Sequence, residues 1–173
     1  LTAYLRERNI EVPRHKVLYP CQSLEESEKL WRRFTIPKVD KDEEVEVYLG
    51  IDVGSVSTKL VAIDKEGRLI AKTYLFHHGK PLESVKKGLL DLRTKLPEKV
   101  KVKGVGTTGS GRYLVGDFVG ADVIRNEITA QAFGALYIDP EVDTIFEIGG
   151  QDSKYIYLDK GTIADFTMNK ACA

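Results

Sequence analysis

The sequence predicts an α/β fold, a mixed sheet with flanking helices that forms one lobe and the start of a second, preceded by a short helical segment. Two observations carry this. From Val45 to Asp52, Val47, Leu49 and Ile51 alternate with Tyr48, Gly50 and Asp52, which is the period of a strand. The run ends in an acid, turns through Gly54-Ser55-Val56-Ser57 and returns as a β-rich run from Thr58 to Asp64. The same design recurs where Asp143 to Ile148 closes on Gly149-Gly150-Gln151-Asp152 and returns through Ser153 to Leu158.

Composition bounds what such a fold can do. The 173 residues carry 26 basic and 26 acidic side chains, a formal net charge of zero. That balance shows no electrostatic footprint for nucleic acid or a membrane surface. No apolar run approaches the ~20 residues of a membrane span. The first residue is Leu1 and no signal-peptide pattern follows, so the sequence reads as the middle of a longer chain. Cys21 and Cys172 form neither a disulfide framework nor a CxxC pair, which fits a reducing cytosol; Cys21 is read as a plain buried thiol.

In order, Leu1 to Arg8 reads as the tail of a helix, and Ser23 with Glu26 forms a capping box before the packed face Leu24, Ser27, Leu30, Trp31 and Phe34. Residues 1–37 are expected to be the end of a preceding domain, and 38–46 a charged linker. The domain of interest spans 47–173. After the first two strands, Lys65-Glu66-Gly67 turns the chain into a third strand from Arg68 to Phe76. His77 and His78 follow and read as solvated or core-edge side chains, because neighbours on a strand point to opposite faces. Pro81 to Leu96 is a helix and Val100 to Val105 a half-exposed strand. Three antiparallel strands, a helix and a further strand make the ribonuclease-H-like core order. Gly104 to Arg112 follows a strand and precedes a helix but lacks the lysine of a Walker A loop, and reads as a flexible connection. Tyr113 to Val119 is a short helix, and Asn126 caps the next one, from Glu127 to Tyr137. Glu127 in its first turn is a candidate catalytic residue, along with Asp52 and Asp152, although a complement to the helix dipole is the simpler reading of it.

The corner after Asp52 can be a hairpin with a polar turn, or an anion cradle in which Gly54 lets the backbone approach a ligand. Asp52 could then hold a hydrated divalent metal through one carboxylate. Two such corners facing one another would clamp a polyphosphate from both sides.

Three phrases narrow the pattern: Gly50-Ile51-Asp52-Val53-Gly54-Ser55, Glu147-Ile148-Gly149-Gly150-Gln151-Asp152-Ser153-Lys154, and Met168-Asn169-Lys170-Ala171-Cys172-Ala173. From about residue 46 to 173 the chain resembles the BadF/BadG/BcrA/BcrD ATPases of the actin, sugar-kinase and heat-shock chaperone superfamily, and especially the activators of 2-hydroxyacyl-CoA dehydratases. The resemblance implies an actin-like ATPase domain binding ATP and magnesium between two lobes. It also implies a homodimer sharing a four-iron four-sulfur cluster, and ATP-driven electron transfer to a dehydratase or other electron-accepting enzyme. Carried onto this sequence, Asp52 would hold the water shell of magnesium. Gly54, Ser55 and Thr58 would line the phosphates with Lys59 nearby. Gly149, Gly150 and Gln151 would meet them from the other side, with Asp152 positioning metal or water. Cys172 matches one cluster ligand.

Three departures accompany the resemblance. Ala130 stands where activators have the second cluster cysteine, so a dimer would offer two thiolates where a bridging cluster needs four. Glu147 replaces the superfamily's usual Asp. The sequence stops before the adenosine-binding segment of the second lobe, and residues 1–173 alone are therefore expected to bind ATP weakly and barely hydrolyse it. Long family members carry tandem ATPase domains, which would account for residues 1–37. The rival readings are a sugar or metabolite kinase on the same fold and a non-catalytic, nucleotide-dependent regulatory module.

Overall fold

A computed structural model describes residue 36 and residues 44–169; the expected helices of 1–37, most of the linker and Cys172 lie outside the described residues. β1 (Val45–Val53), β2 (Ser57–Ile63) and β3 (Leu69–Phe76) form an antiparallel meander. α1 (Pro81–Lys95) then carries the chain over the sheet to β4 (Val100–Thr108), which pairs parallel to β1 on its other side. α2 (Arg112–Val119) leads to the two-residue β5 (Val123–Ile124), parallel to β4. The sheet order β3-β2-β1-β4-β5 is the ribonuclease-H-like order expected from the sequence. α3 (Glu127–Ile138) leads to a second, antiparallel sheet of β6 (Thr144–Ile148), β7 (Ser153–Asp159) and β8 (Thr162–Met168).

β1 is hydrogen-bonded on both edges, and its core-facing residues Val47, Ile51 and Val53 are almost wholly buried. Pro81 opens α1, where a missing N–H costs nothing. Its buried residues Ser84, Val85, Gly88 and Leu92 fall on one face by the 3.6-residue period. The fit there is tight: a Cβ at Gly88 would overlap Cδ1 of the fully buried Leu60. α3 is capped as the sequence predicts, with the Asn126 side chain accepting from the Thr129 N–H at 2.7 Å. Its Ala132 closes a smaller core with Ile145, Ile156 and Leu158 of the second sheet.

One expectation gives way. Gly106, Thr107 and Thr108 are not loop but the end of β4, because Gly50, Ile51 and Asp52 of β1 offer ladder partners in register. Tertiary pairing overrides the low strand propensity of glycine. β5 is too short to show a period in the sequence.

Leu60→Ala is expected to cost about 2–5 kcal/mol. In the parent, Gly88→Ala is expected to destabilise by ~1 kcal/mol, since overpacking exceeds the gain in helix propensity. In the Leu60→Ala background the same change should stabilise, and urea unfolding of the four proteins measures this reversal of sign.

Asp64 supplies a pH test. It is buried and accepts from the Glu66 and Arg68 N–H groups at 3.0 and 2.8 Å and from Arg68 Nε at 2.6 Å. Burial opposes its ionisation, but the Arg68 amide and guanidinium and the Glu66 amide outweigh that and hold the carboxyl below its ordinary 3.8. A depressed folded value means stability that is present above the ordinary value and lost as pH falls through the folded one. Asp64→Asn should therefore lower the melting temperature at pH 7 and flatten its dependence on pH below 4, by calorimetry at a series of pH values.

Candidate functional site

The two corners match bond for bond. After β1, Asp52 pairs across the hairpin with Lys59, Oδ2 to Nζ 2.9 Å, and the Gly54 N–H donates to the Ser57 carbonyl at 3.0 Å. After β6, Glu147 pairs with Lys154 at 3.0 Å, and the Gly149 N–H donates to the Asp152 carbonyl at 2.8 Å. In both, the glycine lies two residues, the accepting carbonyl five and the lysine seven beyond the acid. Both turns are therefore closed by the same bond, and both put a cation beside the acid at the strand end.

The corners face one another across a cleft of about 370 Å³. They meet at one point, where a Cβ on Gly150 would come within 2.7 Å of Val56 Cγ2. The third wall is Thr108 at the end of β4 with Gly109 and Ser110 after it. Gly109 has φ +86°, and a Cβ there would lie 2.6 Å from Asp52 Oδ1 and overlap the Val53 carbonyl. Only glycine allows this approach. The Gly111 N–H donates to that same Val53 carbonyl at 3.0 Å, binding the segment to the end of β1. Arg112 Nη1 reaches both the Gly109 carbonyl at 3.0 Å and Glu127 Oε2 at 2.9 Å.

Of the residues singled out in the sequence, Asp52, Gly54, Ser55, Lys59, Glu127, Gly149, Gly150, Gln151 and Asp152 all line the cleft. Thr58 does not. It pairs with Val53 on the core side, its side chain is fully buried, and Ser57 takes its place at the cleft. Cys172 lies outside the described residues. Ala130 lines the cleft and offers no ligating atom, so the described residues do not fit an iron–sulfur cluster. Sequence reasoning missed Lys154, Thr108 and Ser110. Lys154 had a signal, the repeated seven-residue interval from acid to lysine. The other two had none, because their place depends on how far β4 runs.

Lys154 is the buried cation of the site. Its side chain is 9% exposed and contacts Asp152 Oδ1 at 2.6 Å as well as Glu147. Burial alone would lower its pKa, but the hydrogen bonds and charges of Asp152 and Glu147 outweigh that and raise it. No group of three or more metal-ligating side chains occurs among the described residues. Asp52 alone fits a hydrated divalent cation, which needs one carboxylate and keeps its waters. Phosphate has partners in the cleft too: Lys59 and Lys154 line it, and Thr108 Oγ1 is buried without a hydrogen-bond partner among the described residues.

Known proteins resemble this chain in sequence and in fold. Residues 49–173 match the family model described as the BadF/BadG/BcrA/BcrD ATPase family. The activator of lactoyl-CoA dehydratase of Anaerotignum propionicum is 38% identical over 128 residues, covering 72% of this chain and 48% of the relative. Among solved structures, component A of the Acidaminococcus fermentans (R)-2-hydroxyglutaryl-CoA dehydratase superposes with a TM-score of 0.64 at 31% identity, over 73% of this chain and 48% of that one. The Clostridium difficile activator of 2-hydroxyisocaproyl-CoA dehydratase, solved with bound ADPNP, gives a TM-score of 0.63 at 32% identity, over 71% and 45%. The chain thus spans about half the length, or less, of the relatives it matches.

Lys154→Met should destabilise the protein by about 1–3 kcal/mol at pH 7, since it strands two partly buried carboxylates. A lysine whose folded pKa is raised contributes fully below its ordinary 10.5 and loses that contribution as pH climbs through the folded value. The gap between parent and variant in urea unfolding should therefore be constant from pH 7 to 9 and close above pH 10.5.

Proposed function

The chain belongs to the BadF/BadG/BcrA/BcrD ATPase family, and from that premise we propose that its cleft binds ATP with magnesium. The observation that carries this is the matched pair of acid–glycine–lysine corners facing each other across the cleft. Phosphoryl transfer needs little covalent help from a protein; positioning and charge stabilisation do most of the work. Glycine-bordered corners offer backbone N–H groups to phosphate oxygens, while Lys59 and Lys154 supply positive charge from the two sides. Asp52, at the open end of β1, would hold magnesium through its waters, and magnesium would neutralise charge on the phosphates. Asp152 and Gln151 stand opposite, where a water or the metal shell can be oriented. The ADPNP bound by the C. difficile relative supports ATP as the nucleotide.

We further propose that this ATP chemistry serves an activator of a 2-hydroxyacyl-CoA dehydratase-type enzyme, passing it a low-potential electron. The support is that three relatives act with three such dehydratases, differing in the acyl group. Of the two cysteines the family resemblance assigns to such a cluster, this chain carries Cys172 and has Ala130 at the other position, so a homodimer would supply two thiolates and the remaining ligands would have to come from elsewhere in the parent protein.

Calorimetric titration with ATP, in magnesium and in EDTA, tests the first proposal. Asp52→Asn should weaken binding about tenfold in magnesium and much less in EDTA, because its role is to hold the metal's waters. Gly150→Val should weaken both, since its side chain would strike Val56 and wedge the corners apart. No heat with the parent at millimolar magnesium-ATP would sink the reading. Iron and sulfide analysis of anaerobically purified protein tests the second: a cluster lost on Cys172→Ala supports the activator, and its absence from the parent removes the electron-transfer role.

A further inference from the structure

Of the two readings of His77, solvated or core-edge, the structure bears out the core-edge one. His77 follows β3 directly, is only 9% exposed, and binds the first phosphate corner from behind. Its backbone N–H donates to the Val56 carbonyl at 3.2 Å. Its ring Nε2 lies 3.0 Å from the Gly54 carbonyl oxygen, and its Nδ1 accepts from the Gly79 N–H at 3.0 Å. A nitrogen that accepts from an amide carries no proton. The neutral ring therefore holds its proton on Nε2 and donates it to Gly54. The bend that brings the Gly79 amide round has positive φ at two successive residues, +46° at His78 and +77° at Gly79. A non-glycine residue keeps that conformation only where its surroundings over-determine it.

We propose that His77 is a positioning residue for nucleotide binding, acting through the Gly54–Ser55 peptide; this rests on the ATP reading of the cleft. A trans peptide is planar, and its C=O and N–H point in opposite directions. When His77 holds the Gly54 carbonyl on the side away from the cleft, the Ser55 N–H faces the other way. Ser55 lines the cleft and His77 does not, so the bond aims that N–H at the space the phosphates would occupy. Apart from the Gly54–Ser57 turn bond, the corner's carbonyls at Gly54 and Val56 are both held by His77. The main-chain bond to Val56 survives any substitution at position 77 other than proline. The ring bond to Gly54 is the one a side-chain change removes, and the Gly79 amide selects the tautomer that makes it.

The test uses the full chain. His77→Phe keeps the ring's bulk and removes the donor, whereas His77→Gln keeps a donor amide. His77→Phe should lose about tenfold in magnesium-ATP affinity by calorimetry, and His77→Gln should stay within about threefold of the parent, the span expected for one buried hydrogen bond. Long-range ¹H–¹⁵N spectra of the parent should show a protonated Nε2 and a bare Nδ1 on His77. The Ser55 amide resonance should shift on adding magnesium-ATP in the parent and not in His77→Phe, a difference that a purely structural role would not produce. Equal affinities in a parent and His77→Phe that both bind, or a ring proton on Nδ1, overturn this role and leave the ATP reading standing. A parent that binds no magnesium-ATP removes both.

Discussion

The pairing of a strand-end carboxylate with a lysine seven residues on governs how both walls of the cleft are built. In a two-strand corner closed by one backbone bond, that interval places acid and lysine directly across the ladder, on the same face. The pair costs little to form and, where exposed, contributes little: Asp52 and Lys59 are 36% and 41% exposed, a setting worth about 0–1 kcal/mol. Stability is therefore a poor reason for the pair. A charged group held loosely at the mouth of a cleft is better suited to exchanging one counter-charge for another.

The second corner keeps the pattern and changes its energetics. Lys154 is withdrawn from solvent and touches two carboxylates, so breaking its contacts would leave three charges partly desolvated. The first corner can give up its lysine contact to a cation at small cost, whereas the second resists any rearrangement. The two walls are therefore asymmetric, with an adaptable ion pair at Asp52 and a fixed one around Lys154. The contact of Val56 with Gly150 sets how closely the two can approach, and glycine at 150 sets that distance at its minimum.

Much of this was legible in the sequence, for reasons that also mark the limit. The corners could be read because strand alternation, a terminal acid and a glycine are local features, and because they occur twice. Thr58 was misplaced, although the sequence held the correction. Lys59 and Thr58 are neighbours on one strand, so only one of them can share the face of Asp52. The wall after β4 was a different kind of miss. Gly104 to Arg112 reads as a flexible loop in isolation, and only the edge of β1 makes strand of its first half and fixes the rest against Val53. Strand alternation reads His77 as solvated or core-edge, but it does not show that the ring meets a carbonyl 23 residues earlier. Long-range hydrogen bonds leave no periodic trace.

Glu127 shows how such a bond can reassign a residue. At the head of α3 it is placed to favour the helix dipole and to reach the cleft, and the sequence alone leaves both roles open. Its carboxylate is bound at 2.9 Å by Arg112, the same guanidinium that holds the Gly109 carbonyl. Gly109 in turn sits where any side chain would press on Asp52. Glu127 therefore belongs to a chain of contacts that runs from α3 through Arg112 and the post-β4 segment to the strand-end acid. A base needs a free lone pair aimed at its proton, and an acid already paired with arginine is poorly prepared for that task. Its position suits a different one: fixing, from a helix that packs on the second sheet, the wall against which Asp52 must stand.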